Sequence, residues 1–319
     1  MSTVDVPALH IATRRSQLAL WQAGHVKAQL QRAHPGLTVE LVPMTTQGDR
    51  VTDRALAQIG GKGLFVKELE LALQERRADL AVHSMKDVPS VLPSGFAIAA
   101  VLPRANPHDA FVSRKVARFA DLAHGARVGT SSPRRQAQLR YARPDLRVEL
   151  LRGNVDTRLR RLDDDEYDAI LLACAGLERL GLAHRVTEQL DLDVTLPAVG
   201  QGVIGIECRD DDDYARAALG PLHDADTATR LVAERAFAAA LDGSCHSPIA
   251  AHAILDGTRL TLHGFIGAPD GSETYRDRSS GPAAEPEGLG CDLAARMQAA
   301  GAGALLERLR QDAAQPPVP

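Results

Sequence analysis

The heptapeptide His83-Ser84-Met85-Lys86-Asp87-Val88-Pro89 sets a carboxylate beside an ammonium at the end of a short apolar run, Ala78-Asp79-Leu80-Ala81-Val82. The run reads as a buried strand, and Pro89 closes its exit. Ligand sites in α/β folds form where strands end, so Ser84, Lys86 and Asp87 are expected at one. The cations of the chain are mostly arginine, 32 against 5 lysines. A GC-rich genome produces the same excess, so position has to decide what the arginines do. One acid among many bases suggests a substrate with several acid groups, worked on by a single carboxylate.

Position favours anion binding in three places. Ser132-Pro133 is a helix start, with Ser as N-cap and Pro at the first helical position. The free N–H groups of that terminus, with Thr130, Ser131, Arg134 and Arg135, make an anion site. Capping with ordinary surface arginines is the plainer reading. Thr13-Arg14-Arg15-Ser16 repeats the logic in weaker form. In Arg152-Gly153-Asn154-Val155-Asp156-Thr157-Arg158, Gly153 and Asn154 turn the chain and Arg158 falls early in a helix. A cation there opposes the helix dipole and wants an anionic partner, either a ligand or Asp156. Gly60-Gly61-Lys62-Gly63 fails the phosphate-loop pattern and reads better as a glycine-rich lid carrying Lys62.

The four cysteines include no C-x-x-C pair, which excludes a zinc ribbon and a disulfide framework. Cys174 and Cys208 sit in apolar runs and read as packing, while Cys291 could be a helix-start thiol. Cys245, in Asp242-Gly243-Ser244-Cys245-His246-Ser247-Pro248, lies on a polar loop. There its thiolate could act as a nucleophile or an attachment point, or be idle. The histidines have no ligand spacing, so no metal is expected.

These residues need elements to hold them. At 319 residues with 45% hydrophobic content, two or three cores are expected. Aromatics at 3% and a net charge of −4 argue against nucleic-acid and membrane surfaces. No apolar stretch approaches the roughly 20 residues of a membrane span. The start, Met1 to Leu9, lacks a leader pattern, so a cytoplasmic location is expected. Strands at Leu9–Ala12, Val39–Val42 and Leu80–Val82 alternate with helical faces at Leu18, Trp21, Val26, Leu30 and at Phe65, Leu69, Leu73. This is a βαβα rhythm.

A second set covers Asp109–Val112, Arg127–Gly129, Val148–Leu151 and Ala169–Leu172, with helices from Pro133 and near Thr157. Two similar α/β domains facing one cleft are expected, followed by a smaller region. That region opens with a helix from Thr227 and continues with strands at Ala250–Leu255, Leu260–Phe265 and near Thr274. A loop over Ser279–Gly290 and a final helix complete it. The acidic runs Asp163–Glu166 and Asp210–Asp213 read as solvated turns.

Together these motifs resemble porphobilinogen deaminase, from about Ile11 to the final helix. The blocks that carry the likeness are Ile11–Gln22, Gly60–Glu70, Ala78–Pro89, Val128–Leu139, Leu151–Arg158, Ala175–Leu182, Leu196–Arg209 and Ala233–Pro248. Pro133 departs from an expected apolar residue such as Leu but suits a helix start. The resemblance implies two periplasmic-binding-protein-like α/β domains around a cleft and a small C-terminal α/β domain. The expected spans are 1–103 with 200–220, then 104–199, then 221–319, with Gly200-Gln201-Gly202 where the chain returns to the first domain.

It also implies condensation of four porphobilinogen units, with loss of ammonia, on a dipyrromethane cofactor joined by a thioether to Cys245. Asp87 matches the catalytic acid. Ser84, Lys86, Thr130, Ser132, Arg134 and Arg135 match the cofactor side. Arg14, Ser16, Arg152, Arg158, Arg179 and Gln201 match the substrate side, with Lys62 on the lid. No nucleic acid, membrane or partner subunit is implied, and a monomer is expected. The competing class is a non-catalytic anion binder or regulator with the same cleft, but neither needs Cys245 on its loop.

Overall fold

A computed structural model of the chain describes residues 8–50, 65–242 and 247–314. The glycine-rich lid with Lys62, and Cys245 with His246, lie outside the described residues.

The first sheet is built from β1 (Leu9–Arg14), β2 (Val39–Met44), β3 (Leu80–Ser84) and β4 (Phe96–Val101). Alternate side chains of β1 serve opposite faces, as strand geometry requires. Leu9 and Ile11 join Val26 and Leu30 of α1 (Gln17–Ala33), while Ala12 joins Leu69 and Leu73 beyond the other face. Trp21, expected on the inner face of α1, is 39% exposed and stacks on His25 instead. A short α2 (Gln47–Arg50) follows β2, and α3 (Lys67–Gln74) precedes β3.

The second sheet repeats the scheme with β5 (Asp109–Ser113), β6 (Arg127–Gly129), β7 (Arg147–Glu149), β8 (Ala169–Ala173) and β9 (Glu188–Gln189). Here α4 (Pro133–Ala142), α5 (Val155–Asp163) and α6 (Cys174–Arg179) supply the cover. Phe111 of β5 packs with Leu139 of α4, whereas Ala110 and Val112 pack with Leu159 and Leu162 of α5.

The chain then returns. β10 (Ile204–Arg209) inserts between β3 and β4, antiparallel to both, giving the order β2-β1-β3-β10-β4 beside β7-β6-β8-β5-β9. Two segments therefore cross between the sheets, and they touch where the Ala105 N–H donates to the Gly202 carbonyl at 3.1 Å. Gly202 has φ +86°, and a Cβ there would stand 2.5 Å from the Ala105 oxygen. Only glycine lets the two segments pass this closely.

After α7 (Asp213–Leu219) and α8 (Ala225–Ala240), a meander of β11 (Ile249–Asp256), β12 (Arg259–Gly267) and β13 (Thr274–Pro282) forms the third sheet. α9 (Pro286–Met297) and α10 (Gly303–Ala314) complete it, with a core including Phe237, Leu262 and Leu293. The loop expected over Ser279–Gly290 is corrected here. Ser279–Pro282 extends β13 against β12, and Pro286 begins α9. β13 is an edge strand, where Pro and small polar residues are tolerated, so its composition reads as loop. Cys291 accordingly lies within α9, exposed, and is not a helix-start thiol. The final helix is two helices, broken at Gly301 with φ +118°.

Glu234 of α8 ties the three sheets together. Its buried carboxylate accepts a pair of 2.6 Å bonds from Arg104 on the outgoing segment. It also accepts from the Gly200 N–H on the returning segment at 2.8 Å and from the Ala253 N–H of β11 at 2.9 Å.

Candidate active site

β3 ends in a single 3-10 turn, Met85–Asp87, that buries Met85 and leaves Lys86 and Asp87 half-buried in a cleft. Met85 anchors the turn against Val101, Val203 and Leu231. Two cavities meet there. A smaller one of about 240 Å³ is walled by Ser131, Ser132, Arg134, Gln201, Asp242 and Ser247, among others. A larger one of about 520 Å³ runs past Arg14, Ser16, Gln22, Asp49, Ser84, Arg152 and Asp156. Phe65, Lys86, Asp87, Arg135 and Arg158 belong to both walls. Asp87 is thus the one carboxylate the described walls share.

The N-terminus of α4 forms as its sequence predicts. The Ser132 hydroxyl accepts from the Arg135 N–H, and Thr130, fully buried behind it, accepts from the Ser132 N–H at 3.2 Å. Arg134 and Arg135, however, are not free surface cations. Both are buried on Asp109, the first residue of β5, at 2.8 and 2.7 Å. The Gln201 amide donates to the same carboxylate at 2.9 Å. Asp109 escaped sequence reading because it looked like the polar edge of an apolar strand. Burial works to raise its pKa, but the two guanidiniums and their hydrogen bonds hold the group well below the usual carboxylate range.

On the other side, Ser16 caps α1, its hydroxyl accepting from the Ala19 N–H. Arg14 pairs with Asp49 and lies 4.3 Å over the Phe65 ring. Asp49, Phe65 and Gln22 were not singled out from sequence as site residues. Gln22 stands out only in the fold, where its amide donates to the Ser84 hydroxyl at 2.8 Å. Arg158 donates to the Gly153 carbonyl at 2.7 Å rather than to Asp156.

Ser84, assigned to the cofactor side, lines the larger cavity, because β3 delivers it toward Gln22. Gln201, assigned to the substrate side, lines the smaller one, held there by Asp109. Arg179 lies outside both described walls, since its guanidinium donates to the Gly202 carbonyl and covers Trp21.

The crowding of cations shows in their proton affinities. Burial pushes Lys86 down to about 8, with Arg135 adding to the fall and Asp87 resisting it. Arg158 is lowered to about 10 by burial, then by Arg135 and Arg152. Such a site holds positive charge at a cost that an anionic ligand would relieve. Among the described residues there is no cluster of side chains fit to hold a metal ion. Nor is any helix there long and apolar enough to cross a membrane.

Two family models match this chain. "Porphobilinogen deaminase, dipyromethane cofactor binding domain" covers residues 9–217, and "Porphobilinogen deaminase, C-terminal domain" covers residues 228–299. A porphobilinogen deaminase from Syntrophotalea carbinolica is 52% identical over 302 residues, spanning 95% of this chain and 96% of the relative. Among solved structures, the methionine-binding protein MetQ is similar at 15% identity and a TM-score of 0.45, covering 69% of this chain and 91% of that one. An ABC-transporter periplasmic substrate-binding protein from Coxiella burnetii is similar at 14% identity and a TM-score of 0.44, covering 69% and 94%.

Proposed function

Since the chain belongs to the porphobilinogen deaminase family, we propose that its joined cavities condense four porphobilinogen molecules head to tail. Ammonia is lost at each step, linear hydroxymethylbilane is the product, and the primer is a dipyrromethane tethered by a thioether to Cys245. The family is one of transferases in porphyrin biosynthesis, and dipyrromethane is its cofactor.

The residues of the smaller cavity suit that group. The Nε atoms of Arg134 and Arg135 and the Oε1 of Gln201 are buried without hydrogen-bond partners in its wall. The two guanidinium N–H donors match ligand carboxylates, and the amide oxygen can accept from a ligand N–H. Asp242 and Ser247, which flank Cys245 in sequence, line the same cavity. When bound, the dipyrromethane supplies the end to which each new pyrrole is joined. Lys86, Ser132, Arg134 and Arg135 hold its carboxylates, with Thr130 bracing Ser132. In the larger cavity Arg14, Ser16, Arg152 and Arg158 take the acetate and propionate of the incoming substrate, with Ser84 beside them.

Asp87 does the chemistry. Loss of ammonia leaves a cationic carbon on the substrate, and a carboxylate beside it stabilises that charge most strongly where water is scarce. The same oxygen can hold or pass on the proton that condensation releases. The observation that carries this reading is the place of Asp87 in both walls, with cations around it on either side.

The intact mass of the purified protein tests it. An excess matching a dipyrromethane, absent after Cys245→Ser, together with porphobilinogen consumption, is expected. The bare sequence mass with no consumption would instead favour a non-catalytic binder.

A further inference from the structure

We propose that Asp109 is a positioning residue for the cofactor side, acting through Arg134 and Arg135 without touching the ligand. The inference rests on the reading above that these arginines hold the cofactor's carboxylates.

Asp109 is fully buried and absent from the described walls of both cavities. Its Oδ1 accepts from Arg135 at 2.7 Å, Gln201 at 2.9 Å and Arg134 at 3.1 Å, and its Oδ2 accepts from Arg134 at 2.8 Å. Backbone carbonyls take further donors, Leu196 from Arg134 at 2.6 Å and Leu171 from Arg135 at 2.9 Å. In each guanidinium the terminal nitrogens are thereby engaged, while Nε is buried without a partner. One carboxylate therefore decides which edge of each guanidinium remains for a ligand.

Charge points the same way. Two arginines against one aspartate leave a net positive site, yet adjacent guanidiniums repel and would not converge unaided. Gln201 adds a further link, because it sits on the segment that returns to the first sheet. A buried charge pair is a poor source of net stability compared with apolar packing. Four hydrogen bonds on one side chain are better explained by geometry imposed on the arginines.

Two roles can be separated. If Asp109 only screened charge, Asp109→Asn would leave anion binding intact or tighter, and Asp109→Glu would behave as wild type. A positioning role predicts that both variants lose cofactor. We expect the loaded fraction, read by intact mass, to fall at least about tenfold in each. In the loaded remainder KM should rise more than kcat falls, because Arg135 also faces the larger cavity. Asp109→Glu keeps the charge and carries the test if Asp109→Asn does not accumulate as folded protein; a urea midpoint reports folding for both.

Full loading with unchanged KM in both folded variants overturns the role of Asp109. Arg135→Ala is the control. If it also loads fully, the reading of the arginines themselves is lost. If it alone fails to load, only the inference about Asp109 falls.

Discussion

At the scale of single residues, the proposed chemistry turns on a carboxylate and an ammonium that are neighbours in sequence. Asp87→Asn keeps the shape of the side chain and removes its charge. The variant should carry the tethered cofactor, seen by mass, while turnover drops at least about 10²-fold, the usual penalty for losing one such stabilising group. Near-normal turnover would remove Asp87 from the chemistry. Lys86 gives a pH signature. Its ammonium, lowered to about 8, is charged below that pH and lost above it. Loading of the cofactor-free protein, followed by intact mass, should therefore fall as pH rises through about 8. Lys86→Gln should abolish that inflection and leave a low, flatter profile. Both residues were legible because strand, polar exit and proline are contiguous. Asp109 was not: its partners are 25, 26 and 92 positions away, and no local pattern marks such a junction.

At the scale of elements, local rules worked where the cause is local. Ser132-Pro133 starts α4 as capping chemistry dictates, and the alternation in β5 sends Phe111 and Val112 to opposite cores. They failed at β13, whose exposed edge carries no apolar signature. They were also silent about β10, since periodicity finds a strand without saying which sheet receives it. The joint made by Arg104 and Glu234 shows how much rests on such long-range pairing. Arg104→Ala strands a buried carboxylate and should cost about 3–5 kcal/mol in a urea titration. A loss below 1 kcal/mol would mean that the crossing segments are held by other contacts.

His252 lies 3.8 Å from Glu234, and burial lowers its pKa to about 4, with Glu234 opposing the shift and Arg104 adding to it. Between pH 6.5 and 4 the unfolded chain binds a proton that the folded chain does not. This contribution is present above pH 6.5 and fades as pH falls through that window, by up to about 3 kcal/mol. His252→Gln should decline less steeply than wild type across the same range; parallel declines would assign the acid limb to other groups.

At the scale of the whole molecule, the proposed function assigns the two cavities different work. The smaller one is lined by Asp242 and Ser247, which flank Cys245 in sequence, and the larger one opens between the N-termini of α1 and α5. Each porphobilinogen brings its own carboxylates, so a growing chain needs successive cationic positions while its reactive end stays beside Asp87. The overall charge of −4 means that these cations are local, held by folding around one cleft. Substitutions should then sort by cavity. Arg134→Ala, confined to the smaller wall, should yield protein without the dipyrromethane mass. Arg14→Ala and Arg152→Ala, confined to the larger wall, should load the cofactor and stall afterwards, accumulating species with one or more added pyrrole units when porphobilinogen is supplied. Arg135 and Arg158 border both cavities, and their replacement should impair both stages. Intact-mass spectra of these variants before and after substrate decide the matter. If larger-wall variants emerge unloaded, or Arg134→Ala loads and then stalls, the cavities do not separate priming from elongation, and the chain must grow along another path past Asp87.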